Sequence, residues 1–205
     1  MTLILSRMEL GAWPMNSYIV SSADRLTGVI VDPGAEAEVI LAAVAGINII
    51  GILVTHAHQD HIGALEEVKS STGAPIYAHP AESSAIPIDI DSPLSDGDLI
   101  HIGDAKLRAI HTPGHTPGMM CFDIGDERIL VGDTIFVGGP GRTWSAADFG
   151  TTMNTMQEIV FKWPDRTRFF PGHGPAGTIG VEQTKFQTFV EQVWSPELFG
   201  DITWL

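Results

Sequence analysis

The chain has 205 residues, 44% of them apolar and 18% charged, which is a globular composition with enough length to bury a core. Its formal net charge of −14 argues against a nucleic-acid backbone or an anionic membrane surface as partner, because both select basic faces. With Cys121 as the single cysteine, an intramolecular disulfide and a cysteine-built zinc site are both excluded.

The apolar run in Met1-Thr2-Leu3-Ile4-Leu5-Ser6-Arg7 is too short for a signal peptide. No window has the length of a membrane span, so the chain reads as a cytoplasmic single domain over residues 1–205. Leu3 to Leu5 and Ser17 to Ser21 read as short strands around a loop holding Trp13-Pro14. Gly28 to Val31 is a firmer strand, closed by the turn Asp32-Pro33-Gly34. Apolar residues at helical spacing predict a helix from Ala35 to Ala45, stopped by Gly46.

The β-branched run 49–54 predicts a buried strand, and Ile62 to Ser70 a helix. Ala74 to Ala78 is a further short strand, and the Pro-, Ser- and Asp-rich stretch 80–98 a surface loop with at most one helical turn. Two hairpins follow, Leu99–Ile102 with Lys106–Ile110 and Met119–Ile124 with Arg128–Val131. A helix is predicted from Phe149 to Trp163 with Asp148 as N-cap, then a strand at Arg168–Phe170 and a helix from Gly180 to Val193. Trp194, Phe199 and Trp204 make an aromatic tail that packs on the body or on a partner. The two halves echo each other in order, which suggests two stacked sheets with helices outside and polar residues along one edge.

Between the strand 49–54 and the next helix lies Thr55-His56-Ala57-His58-Gln59-Asp60-His61. Three imidazoles and a carboxylate crowded at a strand end are donors suited to borderline divalent metals. Three more strand ends carry donor residues beside glycine or proline: His111-Thr112-Pro113-Gly114-His115, Gly132-Asp133-Thr134 and Pro171-Gly172-His173-Gly174. Taken alone each reads equally well as a turn; together with the first motif they are the positions expected to complete a metal site. His79 and His101 read as surface residues, His111 as a structural hydrogen-bonder and Cys121 as a small buried residue.

The order His-x-His-x-Asp-His, Pro-Gly-His-Thr, Gly-Asp-Thr, Pro-Gly-His-Gly resembles the metallo-β-lactamase superfamily, and within it the compact glyoxalase II-like hydrolases. The resemblance implies an α+β fold, a four-layer αβ/βα sandwich of two mixed sheets flanked by helices. It also implies two divalent metal ions, zinc first and iron or manganese as alternatives. On it, His56, His58 and His115 would hold one ion; Asp60, His61 and His173 the other; Asp133 would bridge them. Asp32 matches a position that supports the ligands from behind. Two such cations lower the pKa of a shared water to about 7 or below, so hydroxide would attack a carbonyl, with Asp60 orienting it or moving its proton.

The resemblance further implies a small-molecule thioester substrate, a hydroxyacylglutathione or another acyl thioester or ester. Arg142 and Trp144, in Gly139-Pro140-Gly141-Arg142-Thr143-Trp144, occupy the stretch where that family meets glutathione, with tryptophan in place of tyrosine. A persulfide dioxygenase with one iron on His56, His115 and Asp133 is the alternative from another class, and a metal-binding module without turnover is a third. A homodimer is left open.

Overall fold

The computed structural model describes residues 2–192 and 195–204, so Val193 and Trp194 of the expected last helix and tail lie outside the described residues. The first half runs β1 (Ile4–Leu10), β2 (Met15–Ser21), β3 (Thr27–Val31), α1 (Ala37–Ala43), β4 (Asn48–Leu53), α2 (Gln59–Ile62), α3 (Leu65–Thr72), β5 (Ile76–Ala78) and β6 (Ser92–Pro93). The second runs β7 (Leu99–Ile102), β8 (Ala105–His111), β9 (Met120–Asp123), β10 (Arg128–Gly132), β11 (Ile135–Phe136), β12 (Gly139–Pro140), α4 (Ala146–Glu158), β13 (Arg168–Pro171), β14 (Gly177–Thr178) and α5 (Ile179–Val190).

Among the described residues there are two mixed six-stranded sheets, ordered β1-β2-β3-β4-β5-β6 and β14-β13-β10-β9-β8-β7. In the first, β3, β4, β5 and β6 pair in parallel; in the second, β10 and β13 do. Period-two alternation along the strands sends successive side chains into different layers. Ile19, Ile30 and Ile52 pack against α1 and α3 through Ile40, Leu65 and Val68. Their neighbours Tyr18, Val20, Val29, Val31 and Leu53 face Leu107, Met120, Phe122 and Leu130 between the sheets. Cys121, Ile129, Val131 and Phe169 turn the other way, onto Phe149, Met156 and Phe186 of α4 and α5. The result is helices, sheet, sheet, helices, the expected α+β sandwich.

Several boundaries differ from the sequence reading. Strand β1 is longer than Leu3–Leu5 because it pairs along its whole length with β2, its outward Arg7 and Glu9 masking the alternation. The helix expected from Ile62 to Ser70 is two pieces, and Asp60 and His61 sit on the turn α2 rather than in a loop. Ser145, not Asp148, caps α4: its hydroxyl accepts from the Asp148 amide at 3.1 Å, and Asp148 returns a carboxylate contact at 2.7 Å. The tail packs on the body, with Trp204 buried among Phe161, Phe186 and Phe189. Among the described residues no helix is long and apolar enough to cross a membrane.

Candidate metal centre

Strands β3, β4, β8, β10 and β13 all deliver their C-terminal ends to one edge of the sandwich, and each end carries a residue singled out above: Asp32, the 56–61 motif, His115, Asp133 and His173. His58 Nδ1 lies 3.0 Å from His56 Nε2, and His115 Nε2 lies 3.0 Å from His58 Nδ1 and 3.3 Å from His56 Nε2. On the other side His173 Nε2 is 3.0 Å from Asp60 Oδ2, and His61 Nε2 is 4.0 Å from that same oxygen. Asp133 stands between the groups, 3.4 Å from His61, 3.6 Å from His115 and 3.8 Å from His173.

The outer ring nitrogens are committed elsewhere. His115 Nδ1 meets the Arg142 carbonyl at 2.7 Å, and His173 Nδ1 meets the Pro14 carbonyl at 2.9 Å. A carbonyl only accepts, so both rings carry Nδ1–H and turn Nε2 inward, a lone pair in the neutral ring and a donor in a protonated one. Asp32 accepts from the Thr55 amide at 2.7 Å and its hydroxyl at 2.6 Å, and its Oδ2 lies 2.9 Å from His61 Nδ1. Thr55 Oγ1 in turn sits 3.1 Å from His56 Nδ1.

Burial lowers His56 well below the ordinary imidazole range, with the surrounding histidines adding to it; burial and His115 also lower His58. Neutral imidazoles are the form that ligates. Burial lowers His61 too, but Asp133 and Asp32 outweigh it and raise it to about 10. Two carboxylates around one buried ring demand positive charge there, from a proton or a cation. The hydrogen bond from His173 brings Asp60 down to about 2.

The residues fit divalent cations. One donor atom from each of His56, His58 and His115, from each of His56, His61 and Asp133, and from each of Asp60, His61 and His173 lies within 4.8 Å of the others in its set. His61 Nε2 and Asp133 Oδ1 are buried and find no hydrogen-bond partner, although both point at this centre. Gly172 must lack a side chain, because a Cβ there would collide with Asp133 Oδ1 and His61 Cε1.

A sequence profile of the Metallo-beta-lactamase superfamily matches residues 10–173. The chain belongs to that superfamily. A relative from Bacillus subtilis, named a probable metallo-hydrolase, is 32% identical over 198 residues, covering 86% of this chain and 93% of its own. A hydroxyacylglutathione hydrolase from Rhodospirillum rubrum is 35% identical over 164 residues, covering 77% of this chain and 62% of its own. Among solved structures, BLEG-1 B3 metallo-beta-lactamase superposes with a TM-score of 0.81 at 28% identity, covering 88% of this chain and 97% of its own. TTHA1623 in a di-iron-bound form superposes with a TM-score of 0.75 at 28% identity, covering 87% of this chain and 96% of its own.

The edge opens into two clefts. One of about 460 Å³ is lined by His115, Asp133, Phe136 and His173. The other, about 910 Å³, is lined by Leu10, Trp13, Met15, Ala35 and Trp144 together with Asp60. Trp144 stands edge-on to His58 at 6.1 Å, and the Arg142 guanidinium lies over the Trp144 ring at 4.8 Å. Both expected contact residues thus stand at the mouth of the centre.

Sequence reasoning missed several supports. Glu82, in the stretch read as surface loop, is buried and accepts from the amides of Ala57 at 2.9 Å and Gly118 at 2.8 Å, tying two donor loops together. Asn16 donates to the carbonyls of Pro171 at 2.8 Å and Gly174 at 2.9 Å, and the Tyr18 hydroxyl to Pro171 at 2.7 Å, so β2 holds the His173 turn. No local pattern marks these residues; Asn16, a polar residue inside an apolar strand, gives a faint signal. His111 bonds the Pro117 carbonyl at 2.9 Å and stacks on His79, away from the donor sets.

Proposed function

We propose that the chain is a binuclear metallohydrolase acting on an acyl thioester or related ester. The observation that carries the reading is the convergence of two three-residue donor sets, His56/His58/His115 and Asp60/His61/His173, on the shared carboxylate of Asp133. These seven residues would hold two divalent cations. Bound there, the cations supply Lewis acidity, polarising a carbonyl oxygen and acidifying water. The probable metallo-hydrolase of Bacillus subtilis and the hydroxyacylglutathione hydrolase support a hydrolytic role, and the di-iron form of TTHA1623 supports two metals.

The chain's own groups divide the remaining work. Asp60, ionised and facing the larger cleft, accepts a hydrogen bond from water and orients it toward the scissile carbonyl. A carboxylate held at about 2 is a weak base, so its contribution is orientation more than proton removal. Trp13, Met15 and Trp144 form an apolar wall for the acyl or thiol portion and exclude water beside it. Asp32 and the Pro14 and Arg142 carbonyls keep the imidazoles turned inward.

Elemental analysis of purified and reconstituted protein, run beside a thioester panel, tests the reading. The expected result is close to two metals per chain and turnover that Asp60→Ala or His58→Ala abolishes. One iron per chain with oxygen consumption on a persulfide would replace it by the dioxygenase.

A further inference from the structure

We propose that Asp201 is a specificity-determining residue that cancels the charge of Arg142 and directs the site toward substrates lacking a carboxylate, namely neutral acyl thioesters or esters. The inference rests on the hydrolase reading and narrows its substrate class. Arg142, His173 and Asp201 line both clefts, so the Arg142–Asp201 pair stands where the two meet. Arg142 is the only lysine or arginine among the described residues lining either cleft, and its Nη1 lies 3.3 Å from Asp201 Oδ2.

The pair is exposed and adds little to stability. Its effect is on the approach of an anion, which meets a neutral pair in place of a free guanidinium where the two clefts join. Asp201 is held in place from both sides. Gly200 and Thr143 exchange contacts, from the Thr143 amide to the Gly200 carbonyl at 3.1 Å and from the Gly200 amide to Thr143 Oγ1 at 3.2 Å. Beyond it, the Trp204 amide bonds the Gly138 carbonyl at 2.9 Å and the indole donates to buried Glu182 at 3.0 Å. Away from the donor centre and His173 the larger cleft is apolar for most of its wall, so along that wall Arg142 is the one cation a carboxylate could meet among the described residues.

Binding of two thioethers, which cannot be hydrolysed, tests the inference by calorimetry on metal-loaded protein. S-hexylglutathione carries carboxylates; S-hexyl-N-acetylcysteamine carries none. Wild type is expected to favour the neutral compound. Asp201→Asn should tighten the glutathione thioether by about fivefold at low ionic strength, with the gain shrinking as salt rises. The neutral compound should change by less than about twofold, since no charge on it senses the substitution. Adding Arg142→Gln to Asp201→Asn should erase the gain. An unchanged affinity for the glutathione thioether in Asp201→Asn, no binding of it, or an equal change for both compounds would overturn the inference. Failure of the wild type to hydrolyse any thioester while these affinities behave as stated would instead remove the hydrolase reading alone.

Discussion

Asp32 Oδ2 and His61 Nδ1 lie 2.9 Å apart with both side chains almost wholly buried, and the same carboxylate accepts twice from Thr55. The chain therefore fixes the ring of a donor histidine from behind, through a residue whose backbone sits at φ 50°. Asparagine tolerates that left-handed conformation, so Asp32→Asn tests the charge without adding backbone strain. The variant should fold and lose metal affinity by about 10- to 100-fold, read by competition with a chelator. Equal affinity in the two proteins would show that His61 needs no support.

Glu82 bridges the loops that carry His56 and His115 through two backbone amides. Glu82→Ala leaves both amides buried without an acceptor and should cost about 3 kcal/mol in urea unfolding. Glu82→Gln keeps one acceptor oxygen and should fall between the two proteins.

Gly172 lies where any side chain would strike Asp133 and His61. Gly172→Ala should therefore reduce bound metal far more than it changes the circular dichroism spectrum. Full metal content in this variant would mean that the His173 turn can retreat without harm.

Burial raises the Cys121 thiol from 9.0 to about 11, against smaller opposing contacts from the Thr112 and Thr134 hydroxyls. A folded-state pKa above the unfolded one means that the fold favours the protonated thiol. That stability is fully present below pH 9.0 and drains away as pH climbs toward 11. Unfolding free energy should fall with pH across that window, and Cys121→Ala should flatten the decline. A disulfide reagent at about pH 8 should leave the native thiol unmodified and react after denaturation.

Much of this architecture was legible because donors cluster locally. His56, His58, Asp60 and His61 announce themselves within six residues, and the Pro-Gly and Gly-Asp turns mark where His115, Asp133 and His173 stand. The strands β2, β3, β9 and β10 were equally readable as short apolar runs, since each separates two apolar layers. Glu82, Asn16 and Asp201 were not, because each acts through backbone or side-chain groups more than 20 residues away that no local pattern encodes. The cap of α4 was misplaced for a smaller reason: Ser145 and Asp148 are both capping types, and only the geometry decides which one starts the helix.

The donors of the centre divide between the halves of the chain, with His56, His58, Asp60 and His61 leaving the first sheet and His115, Asp133 and His173 the second. Neither half owns a complete set. The full set of donors is therefore assembled only when the strand carrying Pro171 lies beside β10 and the two sheets have met. An ion seated there would act as a rivet through the sandwich, linking donors from both sheets, and its stabilisation would fall on the joint between the halves.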